Sequence, residues 1–142
     1  MATTRTAHTV WNGNLIEGAG NTSLDSSGLG TFDVTWKARA ESAEGKTSPE
    51  ELIAAAHSAC FSMAFSNGVA GAGFTPEEVN TKADVTFQPG EGITGIHLTL
   101  VAKIAGVTEE EFQALAADAK VNCPVSAALK ATPITLDATL AS

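Results

Sequence analysis

Positive charge is scarce in this sequence: eight Lys and Arg face sixteen Asp and Glu, for a net charge of −8 at pH 7. No cluster of basic side chains interrupts that acidic field. Phosphate backbones and anionic lipid surfaces are therefore repelled, and neither nucleic acid nor a membrane is expected as a partner. Long apolar runs are missing too. No stretch reaches the roughly 18 uninterrupted apolar residues of a membrane helix. The opening Met1–His8 carries one arginine with no apolar segment behind it, which predicts a cytoplasmic protein without a leader.

Cysteine and histidine are equally sparse. Cys60 and Cys123 stand far apart, fitting neither a dense disulfide framework nor a Cys-x-x-Cys motif, and His8, His57 and His97 are scattered without His-x-x-x-His spacing. With no Gly-rich phosphate loop and no internal repeat, neither a metal nor another cofactor is expected. A chain of 142 residues buries about 70% of the surface its unfolded form exposes. It needs no disulfide to fold as a single domain, residues 1–142, or as one protomer of an oligomer, which leaves both thiols free for other work.

What is present reads as α+β. The first forty residues mix short alternating runs with turns at Asn12-Gly13-Asn14, Gly18–Asn21 and Ser26–Gly30, the signature of strands and hairpins. Phe32, Val34, Trp36 and Ala38 alternate along one predicted strand that brings Arg39 to its end. Ser48-Pro49-Glu50-Glu51 has capping-box spacing with proline at the first helical position, and opens a helix predicted to be buried on most of its circumference and to end between Asn67 and Gly73. Strands are predicted over Lys82–Phe87 and Gly92–Ile104. A second capping box, Thr108-x-x-Glu111, starts an amphipathic helix through Phe112, Leu115, Ala116 and Ala119. Pro124 then restarts a short helix with Cys123 at its N-terminus, and Ile134–Leu140 alternates as a last strand.

Several of these residues can carry chemistry. A free thiol titrates near 8.5, so a reactive cysteine needs a cation or a helix N-terminus beside it. Cys123 has the helix terminus; Cys60, within the most apolar helix, is either inert packing or activated by a neighbour. Arginine occurs only as Arg5 and Arg39, and Arg39 precedes the loop into the Cys60 helix. His57 lies one helical turn before Cys60, either as a packed histidine or as a base. Glu50 and Glu51 suit a helix N-terminus through its dipole alone.

The run Ser48-Pro49-Glu50-Glu51-Leu52-Ile53-Ala54-Ala55-Ala56-His57-Ser58-Ala59-Cys60-Phe61-Ser62-Met63-Ala64 closely resembles the signature of the osmotically inducible protein C (OsmC) and Ohr family. Ala119-Lys120-Val121-Asn122-Cys123-Pro124-Val125-Ser126 resembles its second motif, and Trp11-Asn12-Gly13 and Ile134–Asp137 extend the likeness over nearly the whole chain. The resemblance implies antiparallel sheets around buried central helices in an intertwined homodimer with active sites at the subunit interface. It also implies thiol-dependent reduction of organic hydroperoxides, with hydrogen peroxide a poorer substrate. Matched position by position, Cys60 is the peroxidatic and Cys123 the resolving cysteine, Glu50 the acidic residue before them, and Arg39 the arginine of the OsmC branch. The Ohr branch takes its arginine from an earlier loop that has none here. A thiol reductant, such as a dihydrolipoyl carrier, is implied as well.

On one straight helix Glu50 and Cys60 are separated by about 15 Å, a spacing that favours meeting across two crossing helices of a symmetric pair. Two other functions fit the same residues: a dimeric module that binds a hydrophobic ligand with idle cysteines, and a Cys60/His57 thiol hydrolase.

Overall fold

The computed structural model describes residues 1–142, and the chain divides into two compact units, residues 1–52 and 53–142. The first holds an antiparallel sheet of three strands in the order β1 (His8–Asn12), β2 (Ala19–Ser23), β3 (Thr31–Val34). Trp11 stands opposite Gly20 in the β1–β2 register. A Cβ on Gly20 would lie 2.8 Å from the Trp11 ring and from the Val10 carbonyl oxygen, so the indole packs there only because the side chain is absent.

The alternation that predicts a strand from Phe32 to Arg39 is cut short after Val34. Thr35 Oγ1 accepts a hydrogen bond from the Ala38 N–H at 3.1 Å, and as N-cap it starts α1 (Trp36–Ala40). Arg39 therefore sits on a helical turn rather than at a strand end. A threonine that offers the backbone a local partner overrides a period-two pattern of only four apolar residues.

Helix α2 (Pro49–Gly71) begins where proline and the cap place it. Half of the capping box forms: Ser48 Oγ accepts from the Glu51 N–H at 3.1 Å, while the Glu51 carboxylate accepts from the Thr47 hydroxyl at 2.6 Å. In the second unit β4 (Pro76–Gln88) and β5 (Gly92–Ile104) form an antiparallel hairpin. Helices α3 (Glu109–Asn122) and α4 (Pro124–Ala128) follow, and β6 (Ile134–Ala141) lies parallel to β5. The second sheet is thus mixed, which corrects the expectation of antiparallel sheets. The two helices supply the crossover that a parallel neighbour requires. α3 carries the complete Thr108–Glu111 capping box.

The core of this unit forms where the alternating Ile96, Leu98, Leu100, Ala102 and Ile104 of β5 meet one stripe of α2 (Phe61, Phe65, Val69) and Phe112, Ala116 and Ala119 of α3. Phe65 meets the Phe112 ring edge-on at 5.7 Å. Full burial of each such side chain is worth about 1.5–3 kcal/mol.

Within one chain α2 is not buried on most of its circumference, as its composition predicts. His57, Phe61, Phe65 and Val69, four residues apart, are fully buried, whereas Ala55, Ala59 and Met63 lie open, Met63 at 72% exposure. At 23 residues and a mean hydropathy of 1.2, α2 also meets the length and composition of a membrane span. Its buried stripe nevertheless belongs to the core of the second unit.

Candidate active site

The two cysteines meet in the second unit. α2 carries Cys60 and the α3–α4 junction carries Cys123, and their sulfurs lie 2.9 Å apart as free thiols. The junction has a simple cause: Pro124 cannot continue α3, so Cys123 becomes both the last cap of α3 and the N-cap of α4. Cys123 is fully buried and Cys60 half-buried, so only Cys60 faces any approach from solvent. A disulfide needs a sulfur separation of about 2.05 Å, within an ångström of what is already in place.

The pair behaves as a coupled acid. Burial pushes the Cys60 thiol up, and the hydrogen bond with Cys123 adds to that; the Val125 N–H opposes both. Burial also opposes ionisation of Cys123, but the hydrogen bond shared with Cys60, the N–H and hydroxyl of Ser126 and the Val125 N–H together hold its thiol below the usual range. No capping hydrogen bond of full geometry reaches the Cys123 sulfur. Its anion is favoured by the combined field of the α4 N-terminus and its neighbours. Of the two thiols, Cys123 is therefore the one whose ionisation its surroundings favour, as expected for a cysteine at a helix N-terminus, while nothing in its own unit activates Cys60.

His57 does not bond to Cys60. Its ring is fully buried, and Nε2 lies 2.7 Å from Ser126 Oγ. Nδ1 has no hydrogen-bond partner, and burial lowers the ring's pKa, which keeps it neutral. A base that serves Cys60 is therefore absent from this position, and the hydrolase reading loses its central contact. Ser126 was not among the sequence candidates. The signal for it was its place three residues after Cys123, mirroring His57 three residues before Cys60.

In the first unit Arg39 and Glu50 form the other polar cluster. Arg39 Nε donates to Glu50 Oε1 and Oε2 at 3.0 and 3.3 Å, and Nη2 donates to Oε1 at 2.8 Å. The carboxylate is buried and the guanidinium about one-third exposed. A fork held this way is fixed in direction, with one edge committed to the carboxylate. Arg39 also lines a cavity of about 220 Å³ whose walls include Trp11, Leu15, Val34, Trp36 and Leu52. No group of three or more His, Cys, Asp and Glu side chains is arranged to hold a metal ion.

A family model described as OsmC-like protein matches residues 41–137. The chain belongs to the OsmC-like family. Over 135 residues, 93% of each chain, this family member is 42% identical to the Escherichia coli (strain K12) protein named peroxiredoxin OsmC. It is 38% identical over 104 residues to the organic hydroperoxide resistance protein OhrA of Bacillus subtilis (strain 168), covering 72% of this chain and 71% of that one. The crystal structure of the Bacillus subtilis organic hydroperoxide resistance protein OhrB superposes on this OsmC-like chain with a TM-score of 0.65 at 25% identity, covering 96% of this chain and 98% of that one.

Proposed function

We propose that this OsmC-like chain is a two-cysteine peroxidase that reduces organic hydroperoxides to alcohols. The observation that carries the proposal is the 2.9 Å separation of two free thiols, one half-buried and one enclosed. The names of its OsmC and OhrA relatives support the same reaction class.

In this reading the pair reacts after losing one of its two protons, a charge that the surroundings of Cys123 favour on its sulfur. As peroxide docks, the Cys60 proton crosses to the Cys123 sulfur. The Cys60 thiolate then attacks the distal oxygen of ROOH; the O–O bond breaks, the sulfur becomes a sulfenic acid, and RO⁻ leaves as alcohol after taking a proton from solvent. Cys123 attacks the Cys60 sulfenic sulfur, the S–S bond forms, and the hydroxyl departs as water. An external dithiol, such as a dihydrolipoyl carrier, reduces the disulfide and closes the cycle.

Arg39 is assigned the charge that favours the Cys60 thiolate during attack, and Glu50 the task of aiming Arg39, within the homodimer that the open α2 stripe and the family resemblance suggest. Lowering a thiol pKa by two units needs about 2.7 kcal/mol, within reach of one partly desolvated guanidinium. The apolar walls beside Arg39 favour an alkyl peroxide over a strongly hydrated one. The arginine position and the 42% identity to the OsmC relative support a reading on the OsmC branch.

Mass spectrometry after one equivalent of tert-butyl hydroperoxide tests the division of labour. The wild type is expected to lose two hydrogens per chain as a Cys60–Cys123 disulfide. Cys123→Ser should consume about one equivalent and stop with Cys60 oxidised, and Cys60→Ser should not turn over. A Cys60→Ser protein that reacts as fast as wild type, or a Cys123→Ser protein that cycles normally, sinks the mechanism.

A further inference from the structure

The His57–Ser126 and Cys60–Cys123 pairs have the same arrangement. His57 precedes Cys60 by three residues on α2, and Ser126 follows Cys123 by three at the start of α4. Residues three apart on a helix share a face, so the two contacts are adjacent rungs between the same two elements. One rung is a sulfur pair at 2.9 Å and the other a nitrogen–oxygen pair at 2.7 Å. His57, Ser126 and Cys123 are all buried, at 0%, 3% and 0% exposure. The lower rung is therefore shielded from water, and neither His57 nor Ser126 can replace its partner with solvent.

The direction of the His57–Ser126 bond follows from the unpaired Nδ1. A proton on Nδ1 would bury an N–H with no acceptor, so the proton is assigned to Nε2, which donates to Ser126 Oγ. A serine hydroxyl has one hydrogen. With its oxygen accepting from His57, that hydrogen is free for another acceptor. Ser126 occupies the third position of α4 and Cys123 its N-cap, the two sites that a cap brings together. The Ser126 hydroxyl is among the groups that favour the Cys123 anion.

We propose that His57 and Ser126 are positioning residues for the resolving step: their buried hydrogen bond holds α4 in register on α2 and turns the Ser126 hydroxyl hydrogen toward the Cys123 sulfur. The proposal rests on the two-thiol reading above. In that step the Cys123 sulfur forms the S–S bond with the Cys60 sulfenic sulfur, the S–OH bond breaks, and hydroxide leaves as water with the proton released from Cys123. Cys60 is reduced and Cys123 oxidised. Loss of the rung should slow this step without slowing the preceding attack on peroxide, since a Cys123 sulfur that loses the Ser126 hydrogen bond accepts the Cys60 proton no less readily.

The test uses the full chain as wild type, His57→Leu, His57→Gln and Ser126→Ala. Rapid mixing with one equivalent of tert-butyl hydroperoxide follows trappable Cys60 sulfenic acid and then the disulfide. Sulfenic acid is expected to form no more slowly than in wild type in every variant. Disulfide closure should be slower by about tenfold in His57→Leu and Ser126→Ala, the change that loss of one buried hydrogen bond produces. Cys60 sulfinic acid should then accumulate in these two under excess peroxide. His57→Gln, whose amide nitrogen can reproduce the Nε2 donor, should recover most of the closure rate.

A merely structural role would lower the melting temperature without separating the two steps, and would give Gln no advantage over Leu at equal stability. Wild-type closure rates in both His57→Leu and Ser126→Ala, or a Gln variant no better than Leu, overturn the proposal. Closure driven by diamide, which needs no peroxide, keeps this outcome separate from the peroxidase reading. If the wild type ignores hydroperoxide, that reading fails, and the same order of diamide rates still supports the positioning role while equal rates overturn it.

Discussion

Oxidation of the thiol pair should stabilise the chain, by an amount the sequence separation sets. Cys60 and Cys123 are 63 positions apart, so their disulfide closes a loop of about 64 residues and removes roughly 4 kcal/mol of unfolded-state entropy at 25 °C on the chain-entropy account. Native disulfides typically deliver about 2–4 kcal/mol. The sulfurs already approach to 2.9 Å as thiols, so little of the gain should be lost to distortion. For a chain of this length 1 kcal/mol moves the melting temperature by about 3 °C, which gives an expected rise of about 6–12 °C. Calorimetry of the reduced protein, of the protein after one equivalent of hydroperoxide, and of the latter after dithiothreitol measures it. Cys123→Ser taken through the same cycle is the control and should show no rise. A chain that mass spectrometry shows to be disulfide-bonded, yet that melts at or below the reduced form, would refute the argument that the fold holds the sulfurs in bonding register.

Arg39→Ala should lower the rate with organic hydroperoxide by a hundredfold or more, while Arg5→Ala changes it little; stopped-flow kinetics decides, and wild-type rates in Arg39→Ala would pass the role to another cation. The same substitution leaves the buried Glu50 carboxylate unpaired and should cost about 1–3 kcal/mol by urea unfolding. Burial depresses the pKa of His57, so below the ordinary value near 6.5 the unfolded chain binds a proton that the folded one does not. Stability should therefore fall as pH drops from about 6.5 toward the depressed value, and His57→Gln should flatten that slope in urea titrations at successive pH values. Light scattering at micromolar concentration should find a dimer, because Ala55, Ala59 and Met63 remain open on α2; a stable, active monomer would overturn the shared-site reading.

The elements most legible in the sequence were those with a local chemical start. Thr108–Glu111 forms its full capping box, and the alternation of β5 from Ile96 to Ile104 places the expected side chains in the core. Trp36 to Arg39 was misread because an alternating pattern and a short helix overlap there, and Thr35 settles the choice by a hydrogen bond that periodicity does not register. The direction of β6 was illegible for another reason: alternation is the same read either way along a strand. Parallel pairing depends on where α3 and α4 return the chain. The cysteine pairing came from a motif resemblance, since no spacing rule relates residues so far apart. Once Cys60 and Cys123 are joined, their neighbours three residues away must also face each other, and His57–Ser126 becomes readable only at that point.

A Cys60–Cys123 disulfide would also divide the second unit unevenly. Residues 60–123 enclose β4, β5 and α3, while β6 lies outside the ring and is attached along the edge of β5 by its ladder from Ile96–Ile134 to Lys103–Ala141. A covalent tie limits only the excursions of the chain between its ends. The hairpin and α3 should therefore tighten on oxidation, whereas fraying of β6 should be governed by the same backbone ladder in both redox states. On the proposed chemistry, one sheet would thus join strands whose local openings respond to peroxide with a strand whose openings do not.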